Sequence, residues 1–477
     1  MLRLLIFVLF AGPAFGADCG ALAKMSLDHA KITAAQEIPG GFGGPTHCEV
    51  SATLTPTPDS DIKIELWMPV NWNGRYQAVG NGGWSGSINR GALTAGIRNG
   101  YAISATDTGH SGGSASFALG HPEKLIDYAY RSEHEMTVKS KAIIAAFYGE
   151  GPKHSYWTGC SAGGKQALME AQRYPTDFDG IVAGSPAANW VGRATQSIWT
   201  AQAVHNNEAS YIPPAKYPAI HRAVIAACDE LDGVADGVLE SPRACKFDPK
   251  VIECKSGDSD DCLTTAQVEA ARKIYGPSVN PRTKKSIYPG LEYGSELGWA
   301  TWAGPKPLAI GLDYFRYVVF ENPDWDFRTL DFDREVTRAQ DLDSHRINAL
   351  DPDLRPFFAH GGKLIQYHGW NDPQIAPGNS VDYYESVLRK LGGHAKVDDS
   401  YRLFMVPGMA HCGGGEGPNQ FDMLNALEQW VEQKTAPARI VASRPSRTRP
   451  LCPYPQVAVY TGTGSTDDEA NFVCKQR

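Results

Sequence analysis

A serine and a histidine 250 residues apart each have a cysteine as immediate neighbour, in Cys160-Ser161 and His411-Cys412. If those cysteines bond to each other, the bridge ties the two polar side chains together. Ser161 lies in Gly159-Cys160-Ser161-Ala162-Gly163, a G-x-S-x-G pattern whose glycines permit a strained strand-to-helix turn that exposes the hydroxyl. In a chain with 49 glycines the same pattern also arises as a plain tight turn with an incidental serine, so its flanks matter. Residues 154–158 (HSYWT) have the β-branched and aromatic composition of a short strand. Residues 165–173 (KQALMEAQR) read as a helix that ends near Pro175. Strand, elbow and helix together predict a nucleophilic serine on an α/β scaffold.

Such a nucleophile needs an acid and then a histidine later in the chain, each on a loop after a sheet strand. Residues 363–368 (KLIQYH) form a predicted strand, and the turn Gly369-Trp370-Asn371-Asp372-Pro373 delivers Asp372 just beyond it. Residues 402–406 (RLFMV) form another, after which Pro407-Gly408-Met409-Ala410-His411 delivers His411. Asp382 and Asp399 compete for the acid, but one lies in a helix-like run and the other precedes the last strand. A lone histidine is more often structural than catalytic, and here the adjoining cysteine and the chain order favour catalysis.

The paired Cys-Ser and His-Cys dipeptides with an intervening Asp resemble the signature of the tannase and feruloyl esterase family, from Cys19 to Cys474. That resemblance implies an α/β-hydrolase fold with an inserted calcium-binding lid domain. It also implies a Cys160–Cys412 bond. All ten cysteines lie beyond residue 16, which fits an oxidising compartment and five disulfides, although sequence alone allows hundreds of pairings. Proximity and the family pattern together suggest Cys19–Cys48, Cys228–Cys245, Cys254–Cys262 and Cys452–Cys474 as the other four. Zinc is the rival use of so many cysteines, but there is no paired C-x-x-C and no Cys/His set at structural-zinc spacing.

Residues 1–16 (MLRLLIFVLFAGPAFG) combine a basic Arg3, a short apolar run and an Ala14-Phe15-Gly16 cleavage pattern, and predict a signal peptide cut before Ala17. A lipid anchor on Cys19 is disfavoured because Asp18 stands where such a signal needs a small residue. A secreted or periplasmic protein without a membrane anchor is expected. A net charge of −8 with no basic block argues against nucleic acid as partner.

The mature chain is long enough for two domains. Residues 17–190 alternate strand patterns (62–68, 75–79, 101–106, 154–158, 180–183) with helical ones such as 132–148, which predicts a largely parallel sheet covered on both faces. From 191 to 345 the rhythm is lost, and it resumes in residues 346–477, so the middle stretch is read as the lid and the flanks as two parts of the core. Within it, Cys228-Asp229-Glu230-Leu231-Asp232-Gly233-Val234-Ala235-Asp236-Gly237-Val238 places three carboxylates between glycine turns, suited to a hard cation or to a plain solvated acidic loop. The spacing is not that of an EF-hand. The family resemblance implies Ca2+ held by Asp229, Asp232 and Asp236 with carbonyls of Val234 and Val238, a structural ion far from the chemistry. Residues 254–262 (CKSGDSDDC) read as a solvated loop.

The expected chemistry is ester hydrolysis through an acyl-enzyme on Ser161, with His411 as base and Asp372 orienting it. Oxyanion donors are expected from the N–H of Ala162 and from Gly82 and Gly83 in the loop Gly80-Asn81-Gly82-Gly83-Trp84-Ser85-Gly86, which follows a strand and lacks a Walker ending. Trp299, Trp302, Tyr314, Phe315, Tyr317 and Phe320 either clamp a planar acyl group or form lid core. The resemblance implies small aromatic esters or phenolic-decorated polysaccharide as substrate, with ferulate ranked before gallate and a terephthalate monoester. A terephthalate carboxylate would need a cation, for which Arg282, Arg316 and Arg328 are present but unassigned. A silent phenolic- or polysaccharide-binding protein and a peptidase on the same scaffold are the rivals.

Overall fold

The computed structural model describes residues 18–41, 44–344 and 346–476. The expected signal peptide lies outside the described residues. Nine strands make the central sheet: β1 Ala30–Ile38, β2 His47–Leu54, β3 Ile62–Pro69, β4 Arg75–Val79, β5 Ala102–Thr106, β6 His154–Cys160, β7 Gly180–Gly184, β8 Lys363–Gly369 and β9 Tyr401–Val406. Their spatial order is β1-β2-β3-β5-β4-β6-β7-β8-β9. From β5 to β9 every neighbouring pair is parallel. The first three strands instead form an antiparallel meander, and β3 runs antiparallel to β5. This corrects the expected strand and helix alternation at the N-terminus: the connections there are too short to hold a crossover helix, so successive strands must reverse.

Helices cover both faces. On one, α2 Ser132–Tyr148 and α3 Ala162–Arg173 pack Met136, Ile143, Leu168 and Met169 against Ile64, Tyr76 and Trp157 of the sheet. On the other, α1 Arg90–Arg98 and α9 Met423–Gln433 bring Leu93, Ile97, Leu427 and Trp430 against Ile103, Tyr156 and Ile365. Burying one such side chain contributes roughly 1.5–3 kcal/mol. Helix α3 sits at the centre and is buried nearly all round, including Lys165, Gln166 and Glu170.

Between β7 and β8 the described residues add no strand to this sheet. It forms α4 Trp190–His205, α5 Tyr217–Cys228, α6 Thr265–Tyr275, α7 Arg334–Asp343 and a small ribbon pairing Ser278–Val279 with Ser286–Tyr288. The ends of α4 join different cores: Trp190, Ala194 and Ile198 pack with Tyr314 and Phe315, whereas Val204 packs with Ile220, Ile274, Trp299 and Trp302. After β8 comes α8 Gly378–Leu391. Beyond the sheet, the ribbons Ile440–Arg444/Arg447–Leu451 and Gln456–Tyr460/Phe472–Gln476 close the chain. The ten cysteines pair as Cys19–Cys48, Cys160–Cys412, Cys228–Cys245, Cys254–Cys262 and Cys452–Cys474.

Candidate active site

Ser161 occupies the single residue between β6 and α3, at φ 67° and ψ −121°. A non-glycine residue in that conformation is strained and has to be held by its surroundings. Its N–H donates to the Gly184 carbonyl at 3.0 Å, and its carbonyl accepts from Lys165 and Ala187. A Cβ on Gly159 would sit 2.4 Å from the Gly163 carbonyl oxygen, so the elbow closes only with glycine at that position.

Asp372 follows β8 and is fully buried. Its Oδ2 lies 2.7 Å from His411 Nδ1 and 3.1 Å from His368 Nε2, while Oδ1 accepts the N–H groups of Gln374 at 2.8 Å and Ile375 at 3.0 Å. Burial alone would raise its carboxyl, but the charge of His411 and the hydrogen bonds from both histidines hold it well below the usual carboxylate range. The acid is therefore an ion at neutral pH. Asp382 sits on α8, where burial raises its carboxyl against the lowering charge of Arg243. Asp399 lies before β9, at the opposite end of the sheet strands from Asp372, and its carbonyl accepts from Lys363 Nζ. Neither competing acid pairs with His411.

His368 was not singled out by the sequence reading. Its Nε2 faces both Asp372 Oδ2 and the Ile375 carbonyl at 3.0 Å, and its Nδ1 lies 2.6 Å from Ser380 Oγ. With two acceptors at Nε2, that nitrogen carries the proton and Nδ1 accepts from the hydroxyl. Four donors thus converge on one carboxylate.

His411 projects from a loop closed at its neck by Glu416 and Gly417 N–H groups on the Gly408 carbonyl. At the tip, Cys412 at φ 61° bonds to Cys160 across 252 residues of sequence. Ser161, His411 and the disulfide line a cleft of about 780 Å³ together with Gly82, Gly83 and Ile310. The glycine loop is fixed from behind. Asn81 N–H donates to Gln166 Oε1, the Asn81 carbonyl accepts from Gly163, and Tyr128 donates to the Gly83 carbonyl. Ala162 opens α3 beside it. Gln166 is a second residue that the sequence reading missed.

The six aromatics between Trp299 and Phe320 resolve in favour of core. Trp299 and Trp302 are fully buried in one core and Tyr314 and Phe315 in another, against which Tyr317 and Phe320 are partly buried; none lines the Ser161 cleft. Trp299 meets Tyr217 and Tyr275 edge-on, and Phe315 stacks on Phe320 and Trp325. Arg282 pairs with Asp333, Arg328 with Asp326, and Arg316 donates to the Trp325 carbonyl, and none of the three lines the Ser161 cleft.

In the acidic loop, both Asp229 oxygens accept from Gly237 N–H, Asp232 accepts from Val234 and Glu240, and Asp236 accepts from Val238 and pairs with Arg447 and Arg449. Burial and the neighbouring charges of Asp236 and Asp229 raise the Asp232 carboxyl, outweighing its two backbone hydrogen bonds. The loop offers only oxygen ligands, the type a hard cation takes, although Asp236 is already paired with two arginines. Among the described residues, the set of three ligating side chains with donor atoms within 4.8 Å of one another is Cys254, Asp258 and Cys262. The two sulfurs there are bonded to each other, which leaves no thiolate to bind a metal. The acidic loop is also nearer the candidate chemistry than expected: Val238 packs on Gly408, at the neck of the His411 loop.

A family model for tannase and feruloyl esterase matches residues 48–475. The chain belongs to the tannase and feruloyl esterase family. It is 37% identical to an uncharacterised esterase of Xanthomonas campestris pv. campestris, over 96% of this chain and 91% of that protein. It is 35% identical to a probable feruloyl esterase B-2 of Aspergillus fumigatus, over 99% and 98% of the two chains. The solved structure of feruloyl esterase B from Aspergillus oryzae superposes with a TM-score of 0.90 at 30% identity, covering 97% of this chain and all of that one. The protein is accordingly a carboxylic ester hydrolase with the α/β-hydrolase fold of this family. Among the described residues no helix is long and apolar enough to cross a membrane.

Proposed function

We propose that the protein hydrolyses esters of aromatic, chiefly hydroxycinnamic, acids through Ser161, His411 and Asp372. The observation that carries the triad is the 2.7 Å contact between His411 and a carboxylate held ionised, on a loop bonded to the residue beside Ser161. His411 takes the Ser161 proton as Oγ attacks the ester carbonyl, Asp372 stabilises the imidazolium, and the alcohol leaves with the proton. Water then attacks the acyl-enzyme with His411 again as base, which releases the acid and restores Ser161. Ala162 N–H and the loop at Gly82 and Gly83 supply the oxyanion donors. Feruloyl substrates are supported by the relatives named for that activity; gallate and terephthalate monoesters rank after them.

Residues 191–345 act as the lid, supported by the core that Val204, Ile220, Ile274, Trp299 and Trp302 form among themselves and by Ile310 reaching the cleft wall. Asp229, Asp232 and Asp236, with the Val234 and Val238 carbonyls, hold a structural Ca2+ that takes no part in the chemistry. Five disulfides support secretion into an oxidising compartment. The deciding experiment compares methyl ferulate, methyl gallate, a terephthalate monoester, p-nitrophenyl acetate and a peptide. The ferulate should be turned over fastest and Ser161→Ala should abolish turnover. A preference for the acetate would refute the aromatic-acid reading, and equal rates for Ser161→Ala would refute the nucleophile.

A further inference from the structure

His221, on α5, has a carboxylate at each ring nitrogen. Nδ1 lies 2.8 Å from Glu296 Oε2 and Nε2 lies 3.0 Å from Glu416 Oε2. A neutral imidazole donates through one nitrogen only, so two facing carboxylates select the doubly protonated cation. Glu296 is fully buried, and its other oxygen accepts from Tyr275 Oη at 2.7 Å and Gly294 N–H at 2.8 Å. Glu416 stands at the neck of the His411 loop, where its N–H donates to the Gly408 carbonyl. The same lid turn reaches the acid's loop: the Gly294 carbonyl accepts from Asn371 Nδ2 at 2.8 Å, and Asn371 N–H donates to the Met409 carbonyl. Of the other charges on or beside α5, Lys216 pairs with Asp258, Arg222 pairs with Asp261, Asp229 accepts from Gly237 N–H, and Glu230 is exposed.

We propose that His221, clamped as an imidazolium between Glu296 and Glu416, is a positioning residue that anchors the neck of the loop carrying His411. The disulfide fixes the tip of that loop, and His221 fixes its base. The role rests on His411 being the catalytic base. Burial would lower the imidazole, but the hydrogen bonds and charges of Glu296 and Glu416 push it up to about 9. The folded value lies above the free one, so the clamp's contribution to stability is full below about pH 6.5, and the imidazolium itself is lost as pH rises through about 9. On deprotonation the remaining proton stays toward buried Glu296, which has no access to water. Glu416, with its side chain 41% exposed, turns to solvent and frees the loop.

The test is kcat and KM from pH 6 to 10.5 on methyl 3,4-dimethoxycinnamate, which has no titrating phenol, for wild type, Glu416→Gln and His221→Gln. Wild-type kcat should fall through an apparent value near 9. Glu416→Gln removes one facing charge at a partly exposed position and should fold. It should match wild type at pH 6 and lose activity about one pH unit earlier. His221→Gln should show a kcat about tenfold lower with KM within about twofold, since the loop carries the base. A flat wild-type kcat to pH 10, or coincident alkaline limbs for wild type and Glu416→Gln, would overturn the clamp. Ser161→Ala run alongside separates the two ideas: if it stays active, the catalytic assignment and the clamp fall together, whereas an inactive variant with coincident limbs removes the clamp alone.

Discussion

Asp372→Asn is a sharp test of the candidate triad, because the structure dictates how the new amide must sit. The Oδ1 position faces two backbone donors, Gln374 N–H and Ile375 N–H, so the asparagine carbonyl has to go there. The amide NH2 then takes the Oδ2 position, 2.7 Å from His411 Nδ1 and 3.1 Å from His368 Nε2. A donor now faces His411 Nδ1, which must give up its proton and accept. The ring's remaining proton moves to Nε2, the nitrogen that should receive the Ser161 proton. Inverting the tautomer with geometry intact costs on the order of 10⁴ in kcat, or about 5.5 kcal/mol of barrier. The assay is kcat on methyl ferulate near pH 7.5 with a parallel melting curve, and with Asp382→Asn and Asp399→Asn as controls at wild-type rates. A folded Asp372→Asn enzyme within tenfold of wild type would refute the assignment.

Two further outcomes follow from the bridges and the acidic loop. Replacing Cys160 and Cys412 together by Ala opens a closure of 252 residues, worth up to about 5 kcal/mol in the chain-entropy model, and should lower the melting temperature and kcat together; unchanged melting with full activity would sink that role. Chelation, or Asp232→Ala, should lower the melting temperature, and added Ca2+ should restore it only where Asp232 is intact, because an ion bound to the folded state alone stabilises by mass action. Purified protein free of calcium by elemental analysis would remove the ion from the account.

What could be seen in the sequence was whatever the backbone enforces locally. The elbow needs glycine at 159 on steric grounds, and the strands before Asp372 and His411 carry their own β-branched and aromatic runs, so three residues far apart in sequence could be named. β1 escaped notice because AKITAAQEI is largely exposed and alternates weakly, as an edge strand does. His368 and Gln166 escaped for another reason. A histidine at the end of a buried strand reads as core, and a glutamine in KQALMEAQR reads as a solvent-facing helix position until α3 proves buried nearly all round. Trp299 and Trp302 show the converse, since composition alone does not say whether a tryptophan fills a core or lines a cleft.

The His411 loop gathers these limits in one place. Its tip is held by a covalent bond whose two cysteines sit beside Ser161 and His411, so the tether is announced by the letters themselves. Its base is held by Glu416 on a histidine 195 positions earlier, and an ion pair leaves no periodicity, turn or spacing behind. The bond at the tip does not depend on pH near neutrality, but the pair at the base exists only while His221 keeps both protons. If both tethers act on the same loop, losing the base tether at high pH should cost turnover without unfolding the enzyme, because Cys160–Cys412 still holds the tip. An alkaline loss of kcat that precedes any change in near-UV circular dichroism separates this from global denaturation, and simultaneous loss of both signals would assign the alkaline limb to unfolding.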